Sequence, residues 1–269
     1  MTDETYGPLA RTFDTAAELY ERARPRYPEQ LFADLADVTG LSGRRAAVLE
    51  IGPGTGQATR GLLAQGWRVV ALEPGRELAA VARRVLAGLG DLVVEPRPFE
   101  TWQPTEPASF DLVFAATAWH WVDARVGYPH AAEVLRPSGS VAVVASEHVL
   151  PEEDGDPFFR EVEAIYDAVG LGDGLGGPRP PAAIEAPDLA AMLASGLFVD
   201  PVVHRYVWSR VYSAAEYLDL LSTYSGHIAA SPDQRAQLFA GIRELIDARP
   251  TGTVRKHYLN LLQVARRLP

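Results

Sequence analysis

Short apolar runs alternate with longer stretches of helical periodicity over the first half of the chain. Five of the runs have the length and the branched apolar composition of buried strands, and they fall at 46–51, 67–72, 91–94, 110–116 and 139–145. Helical patterns occur between them at about 56–65, 76–88 and 122–135, and each pattern is long enough for a right-handed crossover. The alternation predicts an α/β fold with a parallel sheet and helices on both faces.

The segments before and after this part of the chain do not show the same alternation of strands and helices. Two short helical stretches, at about 14–23 and 28–38, precede the first strand and are separated by "RPRYP". After the fifth strand, the chain predicts a helix near 157–169, a segment rich in glycine and proline around 170–187, and another short helix. The pattern then predicts two further strands and two helices, namely a strand at 201–212, helices near 214–222 and 232–248, and a last strand at 253–264.

Composition restricts the chemistry that such a fold carries. The chain has 269 residues, of which 47% are hydrophobic, and it contains no cysteine. Disulfides, thiolate zinc sites and thiol nucleophiles are therefore excluded. The formal net charge of -10 opposes a nucleic-acid partner, because non-specific affinity for phosphates comes mainly from cationic side chains. No apolar run approaches a membrane span and the first residues lack the order of a signal peptide, so a cytoplasmic protein without a membrane partner is expected.

Three glycines at alternate positions follow the first predicted strand, in "VLEIGPGTGQATRGLL". Gly52 allows a sharp turn, Gly54 lets the backbone approach a ligand closely, and Gly56 lets the next helix start against the sheet. The spacing is G-x-G-x-G, whereas a dinucleotide fold has G-x-G-x-x-G. The loop therefore predicts a ligand at the carboxyl end of the first strand, but it does not indicate the chemical class of that ligand.

Two acidic residues at strand ends narrow the kind of ligand. Glu50 lies two positions before Gly52, where a carboxylate accepts hydrogen bonds from an ammonium group or fixes the amides of the loop. Glu73 ends the second strand, where a carboxylate accepts hydrogen bonds from both hydroxyls of a ribose. The pair fits a nucleoside that carries an amino group.

At this point the sequence resembles the class I S-adenosylmethionine-dependent methyltransferases. The resemblance rests on "VLEIGPGTG", "VVALEPGREL", "FDLVFAATAWHWVD" and "VLRPSGSVAVV", in the order that those enzymes show. The segment "YERARPRYP" before the core is typical of a bacterial small-molecule branch that is similar to trans-aconitate methyltransferases. One departure is "LRPSGS", where many members read L-K/R-P-G-G, and it is expected to alter only a turn before the fifth strand.

The resemblance implies a Rossmann-like, seven-stranded, mostly parallel sheet whose last strand is antiparallel, with helices on both faces and a helical lid insertion. The implied single methyltransferase domain has a helical cap at 1–43, a cofactor-binding core at 44–150, a lid insertion at 151–200 and a C-terminal part of the sheet and helices at 201–269. S-adenosyl-L-methionine is the implied cofactor. The residues expected to bind it are Glu50, Gly52, Gly54, Gly56, Glu73, Pro74, Phe99, Glu100 and Ala116 of the core and Tyr20, Arg24 and Tyr27 of the cap.

The implied reaction is an in-line attack of a small organic acceptor on the sulfonium methyl, for which the enzyme aligns the acceptor and excludes water. "TAWHWVD" leaves the fourth strand at the edge where an acceptor would meet the methyl group, so Trp119 and Trp121 are expected to border the acceptor. His120 is a candidate general base, and the alternative is a histidine that only shapes the pocket. Tyr224 and His227 are expected to lie in its roof.

Two other functions stay open beside a small-molecule methyltransferase. A relative that keeps the cofactor without methyl transfer would share these motifs, and a nicotinamide-dependent oxidoreductase is disfavoured by the spacing of the glycines. Hydrolase and metalloenzyme motifs are not found, so no metal is expected. The N/D-P-P-Y/F/W motif of DNA amino-methylases is replaced by "AATAW". A monomer or a homodimer is expected.

Overall fold

A computed structural model of the protein describes residues 16–172, 174 and 177–269, and these residues form one seven-stranded sheet in the order β3-β2-β1-β4-β5-β7-β6. Strands β1 to β5 pair in parallel, and β7 is antiparallel to both β5 and β6. The Rossmann-like fold with an antiparallel last strand is therefore confirmed. The strands are β1 (Ala47–Ile51), β2 (Arg68–Leu72), β3 (Leu92–Glu95), β4 (Phe110–Ala116), β5 (Leu135–Val149), β6 (Phe198–Ser213) and β7 (Thr253–Arg267).

The helices follow the predicted periodicity closely. The described helices are α1 (Ala17–Ala23), α2 (Glu29–Val38), α3 (Thr59–Ala64), α4 (Arg76–Val85), α5 (Ala124–Val134), α6 (Phe158–Glu161), α7 (Glu163–Ala168), α8 (Pro187–Ala194), α9 (Ala214–Leu221), α10 (Ser225–Ala229) and α11 (Pro232–Asp247). The first residues of the helix predicted at 14–23 lie outside the described residues. The helix predicted at 157–169 consists of two short helices, and α10 was not predicted.

The beginning of β5 differs from the sequence prediction. The segment "LRPSGS" was expected to form a turn, but β5 already begins at Leu135, and its pairing with β4 shifts between Phe110 and Leu112. Ser138 has a φ of 62°, a left-handed conformation that glycine adopts without strain. The departure from the common L-K/R-P-G-G therefore places a serine where the backbone favours glycine, in a bulge on the edge remote from the carboxyl ends of the strands.

The last three strands are longer than the parallel core. The pairing of β4 with β5 ends at Ala116 and Val144, whereas β5 continues to Val149 and stays paired with β7. The fifth strand was predicted to end at 145, so the extension is a correction. Since β6 continues alongside β7, β5, β7 and β6 form a three-stranded extension of the sheet beyond the carboxyl end of β4.

Three main apolar clusters hold the layers together. One cluster on each face of the parallel core packs the crossover helices against the strands, and Trp67 and Leu49 are nearly inaccessible members of the two. A third cluster lies on the three-stranded extension and combines Phe158 of α6, Tyr217 of α9 and Ile242 of α11. Residues of the predicted lid and of the C-terminal part therefore share one core that roofs the extension.

Candidate active site

The carboxyl ends of the parallel strands open into a cavity of about 630 Å³. The cavity lies where the strand order reverses, between β1 and β4, which is the usual ligand site of open α/β sheets. Its volume falls within the range of about 300–1,000 Å³ that is typical of small-molecule sites. Most of the residues that the sequence predicts to bind the cofactor line this cavity, namely Tyr20, Arg24, Tyr27, Glu50, Gly52, Gly54, Glu73, Pro74, Phe99, Glu100 and Ala116.

The three glycines of the loop have different surroundings. A Cβ atom on Gly52 would lie 2.5 Å from the Cβ of Ala118, and the φ of Gly52 is 63°. Gly54 has a φ of 61°, and a Cβ atom there would lie 3.5 Å from the ring of Tyr20, at ordinary van der Waals distance. Gly56 does not line the cavity, and a Cβ atom there would lie 2.6 Å from the side chain of Leu86. Gly52 and Gly54 therefore shape the cavity, whereas Gly56 lets the following segment pack against α4.

Glu73 holds the glycine loop in place. Its carboxylate is 2% exposed, and its two oxygens accept hydrogen bonds from the backbone N–H groups of Gly54, at 2.9 Å, and Gly75, at 2.8 Å. The side chain also lines the cavity, at the carboxyl end of β2. The sequence predicted a ligand-binding acid here, and the contact with Gly54 was not foreseen.

Glu50 is a buried carboxyl group without a partner. It is 1% exposed, and neither of its oxygens receives a hydrogen bond from any described residue. Burial raises the pKa of Glu50 to about 8, and the nearby carboxylate of Glu73 contributes to the rise, while the Thr59 hydroxyl partly offsets it. An unsatisfied buried carboxyl group that faces a cavity is costly for the fold, and a cationic donor in the cavity would relieve that cost.

The segment "YERARPRYP" lies over the same cavity. The guanidinium of Arg24 donates hydrogen bonds to the hydroxyl and to the carbonyl oxygen of Thr223, both at 2.8 Å. It also stacks on the rings of Tyr20, at 4.8 Å, and Tyr224, at 4.4 Å. Arg24 therefore connects the N-terminal cap to the loop after α9.

Tyr27 reaches the end of β4. Its hydroxyl lies 3.1 Å from the hydroxyl of Thr117, and burial raises its pKa well above the usual value, so the phenol stays protonated. Thr117 has a φ of 52°, an uncommon conformation for a β-branched residue. The contact links the N-terminal cap to a strained residue in the wall of the cavity.

The aromatic residues after β4 belong partly to the core. Trp119 is 7% exposed and packs its ring against Tyr128, at 4.9 Å, and Phe99, at 6.2 Å. Trp121 is 37% exposed and contacts the ring of His120 at 4.7 Å. Both tryptophans and His120 line the 630 Å³ cavity. Trp119 therefore forms part of the cavity wall and is held in place by its core contacts, whereas Trp121 lies at the solvent-exposed rim of the cavity.

His120 has no hydrogen-bonded group that would orient it among the described residues. Partial burial lowers its pKa below the usual value, and the carboxylate of Asp188 opposes this shift. A histidine with a lowered pKa is neutral at neutral pH and is able to accept a proton. The ring nevertheless lacks the fixed geometry that a general base requires, so the base role remains a prediction.

A second cavity of about 340 Å³ adjoins the first. Its floor is the three-stranded extension of β5, β7 and β6, and its roof comes from α7, α9 and α10. His227 lines this cavity and not the first, and its Nε2 atom lies 2.8 Å from the hydroxyl of Tyr166. The residues that border both cavities are Tyr20, Arg24, Tyr27, Gln57, Thr117, Ser146, Glu147 and Tyr224.

Sequence reasoning missed most of the second cavity. Its floor contains polar and aromatic residues of β5, β6 and β7, namely His148, Trp208, Lys256, Tyr258 and Asn260. The sequence does contain an indication of this cavity. Residues 256, 258 and 260 are polar or aromatic and stand at alternate positions of one predicted strand, so their side chains share one face of the sheet. The sequence predicts only an ordinary last strand there, because its pattern does not indicate that β5, β6 and β7 extend beyond the parallel core.

The chain is similar to known proteins along most of its length. A family model described as a methyltransferase domain matches residues 49–143. An uncharacterized methyltransferase of Mycobacterium tuberculosis is 28% identical over 246 residues, covering 90% of this chain and 88% of that protein. An uncharacterized methyltransferase of Schizosaccharomyces pombe is 28% identical over 244 residues, covering 90% of both. A solved protein from Anaeromyxobacter dehalogenans, assigned as a type II methyltransferase, is 25% identical with a TM-score of 0.58 and covers 91% of this chain and 99% of its own.

None of the described helices combines the length and the apolar character needed to cross a membrane. No group of three or more histidine, aspartate and glutamate side chains in this part of the chain is arranged to hold a metal ion.

Proposed function

Because this enzyme is a class I S-adenosylmethionine-dependent methyltransferase, we propose that the 630 Å³ cavity holds the cofactor and that the 340 Å³ cavity holds a small organic methyl acceptor. The single observation that carries the proposal is the contact between the two cavities. They share a wall that includes Tyr27, Thr117 and Ser146, so a molecule in one cavity lies next to a molecule in the other.

The residues of the first cavity fit S-adenosylmethionine. The carboxyl group of Glu50 lacks a partner, and the amino group of the cofactor is a cationic donor that would satisfy it. Glu73 lines the same cavity at the carboxyl end of β2, where a carboxylate is placed to accept hydrogen bonds from both hydroxyls of a ribose. Gly54 has no side chain between its backbone and the cavity. We therefore assign the amino end of the cofactor to Glu50 and its ribose to Glu73.

The second cavity supports a small acceptor. Its volume is at the lower end of the range for small-molecule sites, and helices of the third apolar cluster close its roof. Tyr166, Trp208, Tyr217 and Tyr258 supply flat apolar walls with polar edges. A side chain of a folded protein or a nucleotide in a duplex would have to pass this roof, whereas a free metabolite fits beneath it. The bacterial small-molecule branch therefore remains our preferred assignment.

Bound S-adenosylmethionine supplies an electrophilic methyl group, and the residues of this chain position its acceptor and exclude water. Tyr27 and Thr117 lie at the wall between the two cavities and restrict the approach to it. His120, Trp119 and Trp121 line the first cavity alone. We therefore propose a pocket-shaping role for His120 ahead of the base role, because an acceptor held in the second cavity lies on the other side of the shared wall.

Methyl-labelled S-adenosylmethionine tests the acceptor class. We expect the enzyme to transfer label into the low-molecular-weight fraction of a bacterial metabolite extract and to release one S-adenosylhomocysteine for each methyl transferred. The macromolecular fraction retained by a filter serves as the control acceptor pool. Label in the retained fraction alone, or no transfer to either fraction, would contradict a small-molecule acceptor.

The pH dependence of cofactor binding tests the role of Glu50. The affinity for S-adenosylhomocysteine is expected to rise by up to about tenfold per pH unit from about pH 5.5 to pH 7. In the free protein the pKa of Glu50 is about 8, so the group is protonated in this range, and an ammonium partner that favours the carboxylate drives proton release on binding. Because binding releases a proton, a higher pH favours the complex.

Calorimetry of Glu50→Gln provides the matched control. The amide keeps the shape of the side chain but does not titrate, so its binding should be weaker and nearly independent of pH over this range. A wild-type affinity that does not change with pH, or an equal slope in Glu50→Gln, would show that Glu50 does not meet the amino group.

A further inference from the structure

The sheet has one long edge strand. β6 is the last strand in the sheet order and is 16 residues long, whereas the strand at the opposite edge, β3, has 4 residues. The start of β6 contains Pro201 and an irregular pairing with β7, and both features protect an edge against pairing with another chain. No proline, glycine or lysine follows between residues 203 and 213. That part of β6 therefore lacks the usual protection of an edge strand.

The backbone hydrogen-bonding groups of alternate residues of β6 point away from β7. Directly after β7, the N–H group of Leu268 donates to the carbonyl oxygen of Leu197, so even-numbered residues of β7 direct their backbone groups toward β6. From residue 202 onward, even residues of β6 stand opposite even residues of β7. The odd residues of β6 therefore direct their N–H and C=O groups outward. Ser213 agrees with this, because its N–H group donates to the side chain of Glu216 at 2.9 Å.

The outward row before Ser213 is open. Its backbone groups form no hydrogen bond with another element in the part of the chain that the structure describes. Val207 is 50% exposed and Val211 is 45% exposed, so the middle of the edge is accessible to solvent. The row consists of Val203, Arg205, Val207, Ser209 and Val211.

A two-fold axis through Val207 makes this row complementary to itself. In the antiparallel register that such an axis imposes, Val207 faces its own copy, Val203 faces Val211 and Arg205 faces Ser209. Every valine of the row then meets a valine, and no arginine faces an arginine. Five facing pairs that each exchange two hydrogen bonds would supply about ten backbone hydrogen bonds.

Charges on the other face of β6 fit the same register. The axis through Val207 places Arg210 opposite His204 of the second copy. The carboxylate of Asp34 lies 3.6 Å from the Nδ1 atom of His204 and accepts a hydrogen bond of 2.6 Å from Tyr206. Arg210 of one copy would therefore lie next to an acidic group of the other, which favours a second copy over an unrelated chain.

We propose that the protein forms a homodimer in which the β6 strands of two copies pair antiparallel across a two-fold axis at Val207. The open backbone groups supply the hydrogen bonds, the valines supply apolar contact, and Arg210 and Asp34 supply complementary charge. The sequence left a monomer and a homodimer open, and this inference commits to the second and names its surface. It does not depend on which ligands the two cavities hold.

Val207→Asp is expected to convert the dimer into a monomer. The two new carboxylates would face each other across the axis, and such like charges should weaken association by about 100-fold or more. Sedimentation equilibrium between about 1 and 100 μM protein measures the association, because the populations of monomer and dimer depend on concentration. Since Val207 is half exposed, the variant should keep the melting behaviour of a wild-type monomer and its affinity for S-adenosylhomocysteine.

Val93→Asp is the matched control on the other edge of the sheet. Val93 lies on β3 and is 45% exposed, so it carries the same substitution at a similar exposure. This variant should dimerise as the wild type does. A wild-type protein that is monomeric at about 100 μM, or a Val207→Asp protein that dimerises with wild-type affinity, would overturn the proposal.

Single cysteines test the register without relying on a disrupted dimer. The chain contains no cysteine, so a disulfide in Val207→Cys can form only between two copies. The facing Cα atoms of such a pair are about 5.5 Å apart, which is within the range of disulfides. Val211→Cys has nearly the same exposure, but its two copies would stand roughly 26 Å apart along the strands.

Oxidation of the two cysteine variants should therefore cross-link Val207→Cys and leave Val211→Cys monomeric on a non-reducing gel. Equal cross-linking of both variants would indicate random collision, and cross-linking of Val211→Cys alone would indicate a different register. Either result, or no cross-linking of Val207→Cys, would overturn the proposal.

Discussion

Gly52→Ala is expected to destabilise the protein by about 2–5 kcal/mol and to abolish the binding of S-adenosylhomocysteine. A left-handed φ costs a residue with a side chain about 1–2 kcal/mol, and overpacking a tight site adds about 1–3 kcal/mol. Both apply here, because Gly52 has a φ of 63° and its Cβ would lie 2.5 Å from the Cβ of Ala118. Relief of that clash would move the loop that shapes the first cavity. Urea denaturation and calorimetry measure the two effects.

Gly43→Ala is the matched control for this substitution. Gly43 has a φ of 67°, but no atom lies within 4 Å of the position that its Cβ would occupy. The control therefore carries the backbone strain without the clash, and we expect a loss of about 1–2 kcal/mol with unchanged ligand affinity. If the two variants lost the same stability, or if Gly52→Ala kept its affinity, close packing at Gly52 would not shape the cofactor site.

Glu73→Gln is expected to weaken S-adenosylhomocysteine binding by about 100-fold or more. The carboxylate accepts hydrogen bonds from Gly54 and Gly75, whereas an amide has one acceptor oxygen and would turn an NH₂ group toward one of these N–H donors. Loss of hydrogen bonds to a charged group costs about 1.5–3 kcal/mol each, and 1.4 kcal/mol corresponds to a factor of ten in affinity. The variant therefore loses an acceptor for the ribose and also a hydrogen bond that holds the glycine loop in place.

Glu95→Gln is the corresponding control on the neighbouring strand. Glu95 ends β3 and accepts a hydrogen bond of 3.0 Å from the indole of Trp102, but it does not line the first cavity. Its substitution should leave the ligand affinity unchanged within a factor of about two. A Glu73→Gln variant with wild-type affinity would remove Glu73 from the cofactor site.

The parallel core was predictable because its signals are local. The strand at Phe110–Ala116 has the bounds that the apolar pattern predicts, and the other core strands differ by a few residues at their ends. The motif from Glu50 to Gly54, followed by Glu73, was likewise sufficient to locate the first cavity, because these residues lie at or just beyond the carboxyl ends of β1 and β2. Backbone conformation at such strand ends depends mainly on neighbours in the sequence.

The second cavity was not predictable because it depends on pairing between distant segments. Tyr224 was placed in the pocket roof from its position, and it borders both cavities. Lys256 received no role, since its burial arises only when β7 pairs with the extension of β5 and the helix with Phe159 covers it. A lysine in an alternating strand is normally on the exposed face, and no local signal marks this one as an exception.

A crystal structure of the complex with S-adenosylhomocysteine tests the central claim most directly. The account predicts that the ligand fills the first cavity, with its amino group within about 3 Å of the Glu50 carboxylate and its ribose hydroxyls at a similar distance from Glu73. Its sulfur should face the wall shared with the second cavity, beside Tyr27 and Thr117. A ligand whose amino group lies away from Glu50, or whose sulfur faces away from the second cavity, would contradict the account.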